Sequence, residues 1–313
     1  MRDGGKGGLV SRSRDRNSSR KRSRLRISIV GAGKVGQTLA RLAHLAGYEI
    51  GDVICLSRRS AVRAAGFIGA GTAQATSRAI LSPCDIILIS TPDDKIPEAV
   101  RLILGSARPR PRSTSGPAKP ARGRERSGRI APVAIHTSGA TSSAVLKPLR
   151  TMGTSIASCH PLQTFQSTAR ALTLIPSSYF CIEGDARAKL AARRLVRDIG
   201  GNFFEIPTGM KPLYHAAAVM ASAGLVSLLS ISLEILGKCG LDDKTSRAVL
   251  LPLIQGAVAN LGSVGPQRAM TGPIPRHDLG TIERNRAALA SLNQSWLVIY
   301  NLLTDRGFQL VRS

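Results

Sequence analysis

The sequence of 313 residues predicts an α/β domain with a doubly wound, mainly parallel sheet, followed by an all-helical domain. Three observations support this prediction. Short apolar runs alternate with helical patterns over residues 25–206, which is the order expected of β-α-β units. The first of these runs leads through a glycine-rich turn into an amphipathic helical pattern. From Lys211 onward the sequence shows helical patterns and no strand pattern.

The first unit begins with the apolar run 27–30, which is followed by three glycines in the order G-x-G-x-x-G. The first glycine allows a tight turn, the second lets backbone approach a pyrophosphate, and the third lets helix and strand pack closely. The helix N-terminus would offer free N–H groups to the phosphates. The context predicts a dinucleotide-binding turn, and a glycine turn without a ligand is the alternative. The predicted cofactor-binding residues are Gly31, Ala32, Gly33, Lys34, Val35 and Gly36.

The second strand, predicted at 52–57, indicates which dinucleotide binds. It ends in Ser57, Arg58 and Arg59, where an NAD site usually places an acidic residue against the ribose hydroxyls. A hydroxyl and two guanidinium groups suit a 2′-phosphate instead, so the predicted cofactor is NADP(H). Asp52 is expected at the start of the strand, far from the ribose. The alternative for the two arginines is a solvated loop in an arginine-rich chain.

The largely apolar run 84–91 is predicted to be a strand buried on both faces of a parallel sheet. Between it and the second strand, residues 61–66 predict a short helix and residues 66–73 a loop. Ligands of doubly wound sheets bind outside the carboxyl ends of the strands. The residues at the end of this strand are therefore predicted to contact the cofactor; they are Ser90, Thr91, Pro92 and Asp93.

The remaining patterns complete both domains. Strands are predicted at 132–136, 155–158, 178–183 and 202–206, and helices of the first domain at 96–104, 143–150 and 185–199. Helices of the second domain are predicted at 212–236, 243–261, 279–292 and 294–305, with Asp242 or Asp243 as an N-cap.

The segment 216–233 has no formal charge and is almost long enough to span a membrane. Its many alanines and serines contribute little transfer energy. We therefore predict a buried helix at the centre of the helical domain and no contact with a membrane.

The net charge of +25 is concentrated in two segments that are predicted to be disordered. Residues 1–26 carry ten Lys/Arg and two Asp, and residues 105–129 carry eight Lys/Arg and one Glu. Neither segment has the interleaved aromatic residues of a nucleic-acid stacking platform, so nucleic-acid binding is only a third alternative. The predicted organisation is a basic tail (1–24), a dinucleotide domain (25–206, with insertion 105–129) and a helical domain (207–313).

The five cysteines include no C-x-x-C pair, and no cluster of His, Cys and carboxylate residues has the spacing of a metal site. We expect reduced thiols, no disulfide framework and no metal, as in a cytoplasmic protein.

Six motifs in order resemble the Rossmann-like/DUF2520 family over residues 25–305. They are GAGKVG at 31–36, STPDD at 90–94, HTSGA at 136–140, CHPLQTF at 159–165, YHAAAV at 214–219 and TGPIPR at 271–276. The resemblance implies a Rossmann domain and a second domain similar to the C-terminal helical domain of 6-phosphogluconate dehydrogenase. It also implies a homodimer formed through the helical domain. The family is similar to pyrroline-5-carboxylate reductases and β-hydroxyacid dehydrogenases, and some members are ketopantoate reductases.

Three positions depart from the family pattern. Ala223 stands where the family usually has Asn, His277 where it has Gly, and Asn285 where it has His. These departures favour an alternative function, a non-catalytic regulatory protein that binds NADP(H).

Hydride transfer to a carbonyl requires a donor to the developing alkoxide. Lys211 and His215 are four residues apart and share one face at the start of a helix. Lys211 is the first candidate for the general acid, with His215 orienting the substrate or sharing the proton. The alternative is a surface lysine beside a core histidine.

Two loops after predicted strands supply further candidates. Ser138 and His160 are predicted to be catalytic, and His136 and Gly139 to bind substrate. A structural hydrogen bond in the His-Pro turn is the alternative for His160.

Two residues of a loop between helices are also predicted to bind substrate. Arg276 could clamp an acidic substrate. For Asp278, capping a helix is an alternative to binding substrate, and the two roles are given equal weight.

These residues predict an NADP(H)-dependent oxidoreductase that reduces a small oxo-acid or imine in a cleft between the two domains. Ketopantoate is the substrate that the resemblance implies.

Overall fold

The computed structural model describes residues 24–106 and 130–312. The predicted basic tail and insertion lie outside these residues apart from their edges, so their disorder stays a prediction. The chain groups into two compact units, Met1–Ala218 and Val219–Ser313. The sequence-based boundary was 206/207, and the structure instead groups the segment around Lys211 with the first unit.

A mainly parallel sheet forms the centre of the first unit, as predicted. Its described strands lie side by side in the order β3-β2-β1-β4-β5-β6-β7-β8, and only the β6–β7 pair is antiparallel. The strands are β1 Arg26–Val30, β2 Glu49–Cys55, β3 Thr72–Ala75, β4 Ile86–Ile89, β5 Val133–His136, β6 Ser155–Pro161, β7 Tyr179–Gly184 and β8 Asn202–Glu205.

Helices cover both faces of this sheet and bury it. Along β1, Ile27 and Ile29 belong to one apolar cluster, and Val30 belongs to the cluster on the opposite face. This explains why the central strands are apolar on both sides. The helices are α1 Lys34–Leu45, α2 Arg58–Ile68, α3 Ile96–Ser106, α4 Thr168–Leu174, α5 Ala186–Asp198 and α6 Lys211–Val219, with a 3₁₀ helix at Ser143–Met152.

The structure corrects the sequence-based elements around β2. The predicted loop 66–73 is interrupted by β3, an edge strand whose sequence TAQA has no apolar run. Helix α2 begins at Arg58 because Ser57 caps it, so the predicted strand end is in fact a helix start. Asp52 lies in the middle of β2 and is buried, and its carboxylate accepts hydrogen bonds from Gln74 Nε2 and Ser82 N.

The second unit is helical in its described residues, as predicted. After a π-helical turn at Met220–Gly224 come α7 Leu225–Lys238, α8 Asp243–Ala269, α9 Leu279–Ala290 and α10 Gln294–Arg312. Asp242 caps α8 by accepting a hydrogen bond from Thr245 N, 2.7 Å away. Helices α9 and α10 are joined by hydrogen bonds from Asn285 to Tyr300 and from Arg286 to Asn301.

The apolar helices of this unit are exposed. Helix α7 contains no buried residue, and α8 contains only Ser246. The prediction of a buried helix at 216–233 is therefore wrong for the described chain: apolar composition does not specify what covers a helix. By length and composition alone, the stretches Thr208–Lys238 and Asp243–Ala269 could cross a membrane. Two such helices are weak evidence for membrane spans, because core helices of soluble proteins pass the same test.

Candidate functional site

The glycine turn between β1 and α1 has the geometry of a dinucleotide-binding turn. Gly31 adopts φ of 87°, and a Cβ there would lie 2.6 Å from Thr91 Cγ2. A Cβ on Gly36 would lie 2.8 Å from the Gly31 carbonyl oxygen, so helix and strand approach closely only because it is glycine. A Cβ on Gly33 would meet nothing within 4 Å, which leaves its backbone open to a ligand. The tight turn at Gly31 and the close approach at Gly36 fit the predicted pattern, and the contact of Gly33 with a pyrophosphate stays a prediction.

A cavity of about 530 Å³ extends from this turn to the ends of β2 and β3. Gly31, Ala32 and Gly33 line one part of it, and Ser60 and Thr76 line another. The volume lies within the range of small-molecule and cofactor sites. An open glycine backbone at the start of a 12-residue helix fits a pyrophosphate, so the residues present fit a dinucleotide.

The two other residues of the turn have packing or tethering contacts. Val35 packs against the larger apolar cluster. Lys34 Nζ donates a hydrogen bond of 2.8 Å to the carbonyl oxygen of Gln166, which ties the segment after β6 to the start of α1.

At the end of β2, Ser57 and both arginines are exposed. Ser57 Oγ accepts the Ser60 N–H at 3.2 Å, and the Arg58 guanidinium donates to the Ala73 carbonyl oxygen at 3.2 Å. No hydrogen bond of the Arg59 side chain is found among the described residues. Their predicted contact with a 2′-phosphate stays a prediction.

The loop after β4 connects the glycine turn to the loop after β5. Ser90 Oγ lies 2.9 Å from Thr137 Oγ1. Asp93 Oδ2 accepts hydrogen bonds from Ser138 Oγ at 2.7 Å and Thr141 Oγ1 at 3.3 Å. The Asp93 carboxylate therefore holds the loop 137–141 in place, a contact that the sequence analysis did not predict.

The two other residues of that loop lie at the glycine turn. Thr91 and Pro92 both line the cavity. The Thr91 hydroxyl is buried without a hydrogen-bond partner among the described residues.

The predicted catalytic residues of the first unit converge on Gly139. Lys211 is fully buried at the start of α6, and its Nζ donates to the Ser138 carbonyl oxygen at 2.8 Å. A Cβ on Gly139 would lie 2.3 Å from His215 Nδ1 and 2.9 Å from His160 Nε2. His215 Nδ1 is buried and has no hydrogen-bond partner among the described residues. Two imidazole nitrogens therefore pack closely against Gly139, where a side chain would not fit.

His136 lies beneath this cluster. It is fully buried, and its Nδ1 accepts the Ser138 N–H at 3.2 Å. Its ring therefore supports the loop and does not face solvent, and its predicted contact with substrate stays a prediction.

Tyr214 belongs to the site, although the sequence analysis assigned it no role. Its hydroxyl lies 2.8 Å from His160 Nδ1. The sequence feature that could have identified Tyr214 is its position three residues after Lys211, which puts both side chains on one face of α6. Lys211 Nζ lies 5.4 Å from the centre of the Tyr214 ring.

Burial favours the neutral forms of His160 and His136. Desolvation, followed by the charge of Lys211, lowers the pKa of His160 to about 3 and that of His136 to about 4. Desolvation also lowers the pKa of Lys211. The site thus combines neutral imidazoles with an amine that releases its proton more readily than a solvated lysine.

Arg276 and Asp278 belong to the second unit. Asp278 caps α9, where its carboxylate accepts hydrogen bonds from Thr281 N and Oγ1. This geometry favours the helix-cap alternative, and the predicted substrate contact of Arg276 stays a prediction. The described residues contain no group of His, Cys, Asp and Glu that could hold a metal.

Comparison with known families identifies both parts of the chain. The Rossmann-like domain profile matches residues 12–116, and the profile of the domain of unknown function DUF2520 matches residues 178–306. The chain carries a Rossmann-like domain followed by a DUF2520 domain. Lys211, Tyr214 and His215 fall within the DUF2520 match, whereas the glycine turn falls within the Rossmann-like match. A comparison with curated proteins found no match.

Solved structures share the fold of this Rossmann-like/DUF2520 chain. Protein TM1727 from Thermotoga maritima is 24% identical with a TM-score of 0.69, covering 91% of this chain and 98% of its own. BF3122 from Bacteroides fragilis, provisionally described as an NADP oxidoreductase, is 20% identical with a TM-score of 0.67 and the same coverage. Pyrroline carboxylate reductase from Plasmodium falciparum, with NADP bound, is 15% identical with a TM-score of 0.53, covering 92% and 98%.

Proposed function

We propose that this protein is an NADP(H)-dependent oxidoreductase that reduces a small oxo-acid or imine. The observation that carries the proposal is that His160 and His215 meet at Gly139 and Lys211 binds the carbonyl oxygen of the adjacent Ser138, in the same unit as the glycine turn. The loop after β4 joins these two features through its contacts with Thr137 and Ser138.

The cofactor part of the proposal assigns the pyrophosphate to residues 31–36 and the 2′-phosphate to the start of α2. When bound, NADPH supplies a hydride. Two exposed guanidinium groups and the free N–H groups of the first turn of α2 suit a phosphate better than a ribose hydroxyl. The structural neighbours described as NADP oxidoreductase and as NADP-bound reductase support this choice.

The protein's own groups would act on the substrate's oxygen or nitrogen. A neutral histidine can polarise a carbonyl by donating a hydrogen bond, so the low pKa of His160 is compatible with this role. His215 Nδ1, which has no hydrogen-bond partner among the described residues, offers a second contact.

Lys211 is proposed to hold the proton. Its ammonium uses one N–H for Ser138 and retains two. Its lowered pKa brings proton release closer to neutral pH. The buried positive charge would also favour an anionic substrate, and ketopantoate is the first candidate because some relatives of this family reduce it.

Titration with NADPH and NADH, followed by nicotinamide fluorescence, tests the cofactor. If both arginines engage, NADPH should bind about 100- to 10,000-fold more tightly than NADH, since each charge-assisted hydrogen bond contributes about 1.5–3 kcal/mol. The double substitution Arg58→Ala and Arg59→Ala should remove this preference, and Arg268→Ala in the second unit is the control. Equal binding of both cofactors by the unmodified protein would refute the 2′-phosphate assignment.

Turnover tests the reaction. Oxo-acids, beginning with ketopantoate, and cyclic imines should be reduced with consumption of NADPH. Binding of NADPH without turnover across both classes would favour the alternative, a non-catalytic regulatory protein. The departures at Ala223, His277 and Asn285 support that alternative. Asn285 donates a hydrogen bond to Tyr300 within the helical unit.

The exposed helices suggest how the protein assembles. We propose that a second copy of the chain covers α7 and α8 in a cytoplasmic homodimer. Soluble monomers rarely expose contiguous apolar surface of this extent. Large side chains at least half exposed on these helices include Val226, Val249, Leu251, Leu253, Val258 and Leu261.

A further inference from the structure

The ring of Tyr214 is fixed between several groups of the first unit. Its hydroxyl lies 2.8 Å from His160 Nδ1, and the two rings meet edge to face. Phe204 of β8 packs edge to face against the same tyrosine, with ring centres 5.8 Å apart. Lys211 Nζ lies on another side, 5.4 Å from the ring centre. The tyrosine therefore presents its hydroxyl to His160 with little freedom to turn away.

The two groups can share this hydrogen bond in either direction, from the phenol O–H to Nδ1 or from an Nδ1–H to the phenol oxygen. Desolvation raises the pKa of Tyr214 above its ordinary value, so the phenol keeps its proton. Desolvation lowers the pKa of His160, so the imidazole carries one proton and not two. A neutral imidazole has one donor and one acceptor nitrogen. A phenol proton directed at Nδ1 leaves Nε2 as the nitrogen with the hydrogen.

The opposite nitrogen faces Gly139 and the ring of His215. His160 Nε2 lies 2.9 Å from the position that a Cβ of Gly139 would take, on the side where His215 Nδ1 also approaches. The rings of His160 and His215 meet edge to face with centres 5.6 Å apart. If His160 carried its proton on Nδ1, a bare lone pair on Nε2 would face Gly139 and would repel a carbonyl oxygen that approached from this side.

We propose that Tyr214 is a positioning residue that donates its O–H to Nδ1 of His160, selects the Nε2–H tautomer and directs the single N–H of the ring toward Gly139 and His215. The inference rests on the proposed function for the identity of the acceptor, a carbonyl or imine group of the substrate. The tautomer itself is a property of the protein without substrate.

Nitrogen-15 NMR of the full-length protein labelled at histidine measures the tautomer directly. The His160 resonances are assigned by their loss in His160→Asn. In the unmodified protein, Nε2 should show the shift and proton coupling of an N–H nitrogen, and Nδ1 the shift of a hydrogen-bonded acceptor. This measurement needs no variant at Tyr214, so it remains decisive if such a variant fails to fold. A proton on Nδ1 in the unmodified protein would overturn the proposal.

The substitution Tyr214→Phe removes the hydroxyl and keeps the ring. The two His160 nitrogen shifts should move toward each other as the second tautomer becomes populated. The control is Tyr179→Phe on β7, whose ring is 55% exposed and for which no side-chain hydrogen bond is found among the described residues. Unchanged His160 shifts in a folded Tyr214→Phe protein would also overturn the proposal.

Kinetics separates this inference from the proposed function. With a reducible substrate, Tyr214→Phe should lower kcat at least tenfold while the Kd for NADPH changes less than twofold. If no substrate is turned over but the NMR results hold, the proposed reaction fails and the positioning role stands. If turnover is found but NMR does not show the predicted tautomer of His160, only the positioning role of Tyr214 is refuted.

Discussion

The ammonium of Lys211 donates a hydrogen bond of 2.8 Å to the carbonyl oxygen of Ser138, and both residues are buried. A buried cation is costly unless it is paired. Its only described hydrogen bond is to a neutral carbonyl, so its charge stays available to an anionic substrate or a developing alkoxide. This contact attaches the first residue of α6 to the loop after β5, which brings residues far apart in the sequence into one site.

Lys211→Met tests the charge while keeping most of the aliphatic stem. We expect kcat to fall at least 100-fold, since a positioned acid contributes 10²–10⁴-fold, while NADPH affinity changes little. Steady-state kinetics with the best oxo-acid or imine substrate measures kcat. The control is Lys147→Met, at an exposed lysine of the same unit. Full turnover by the Lys211 variant would remove this residue from the mechanism.

Gly139→Ala tests the close packing of the two histidines against this glycine. The added Cβ would lie 2.3 Å from His215 Nδ1, so a ring or the loop must shift. We expect the free energy of unfolding to fall by about 1–3 kcal/mol. We expect kcat to fall by a larger fraction of its value than the free energy of unfolding does. Denaturant unfolding and kinetics measure the two effects.

The matched control is Gly209→Ala, where the added Cβ meets nothing within 4 Å. Wild-type kcat in Gly139→Ala would show that the histidines need no defined position, and the site assignment would fail.

The sequence was sufficient where local pattern determines structure. The glycine turn and the apolar strands were predicted because backbone geometry and burial on two faces leave direct traces in residue type. Strand β3 was missed because an edge strand with the sequence TAQA has neither apolar alternation nor β-branched enrichment. The start of α2 was misplaced because Ser57 acts as a cap rather than as the end of a strand.

The site was only partly predictable for a related reason. Lys211 and His215 could be paired from helical spacing, but the contact of Tyr214 with His160 joins α6 to β6 and depends on tertiary packing. Likewise, apolar composition at 216–233 predicted burial, whereas what covers a helix depends on neighbours that the sequence pattern does not name.

The homodimer proposal predicts a defined response to charge on the exposed helices. The double substitution Val226→Glu and Leu253→Glu, at side chains 68% and 70% exposed, should convert a dimer to a monomer. Analytical ultracentrifugation over a range of concentrations measures this change. The control is Leu190→Glu on α5, an isolated leucine with 63% exposure. A monomeric unmodified protein would contradict the proposal, and co-sedimentation with lipid vesicles would favour a membrane instead.

Acid should destabilise the protein through His136. Desolvation, followed by the charge of Lys211, lowers its pKa to about 4, compared with about 6.5 for an unperturbed histidine. Between these values the unfolded chain binds a proton that the folded chain excludes. The free energy of unfolding should therefore fall as the pH falls below 6.5, by about 1.4 kcal/mol for each pH unit from this residue.

The substitution His136→Asn isolates this contribution, because the amide oxygen can still accept the Ser138 N–H without taking up a proton. Denaturant unfolding between pH 4 and 7 should give a shallower pH dependence for the variant, whatever its stability at neutral pH. Removing the Lys211 charge by Lys211→Met should raise the pKa of His136, which histidine NMR can follow. Parallel stability curves for the unmodified protein and His136→Asn would show that His136 titrates alike in the folded and unfolded chains, and the buried neutral histidine would have to be abandoned.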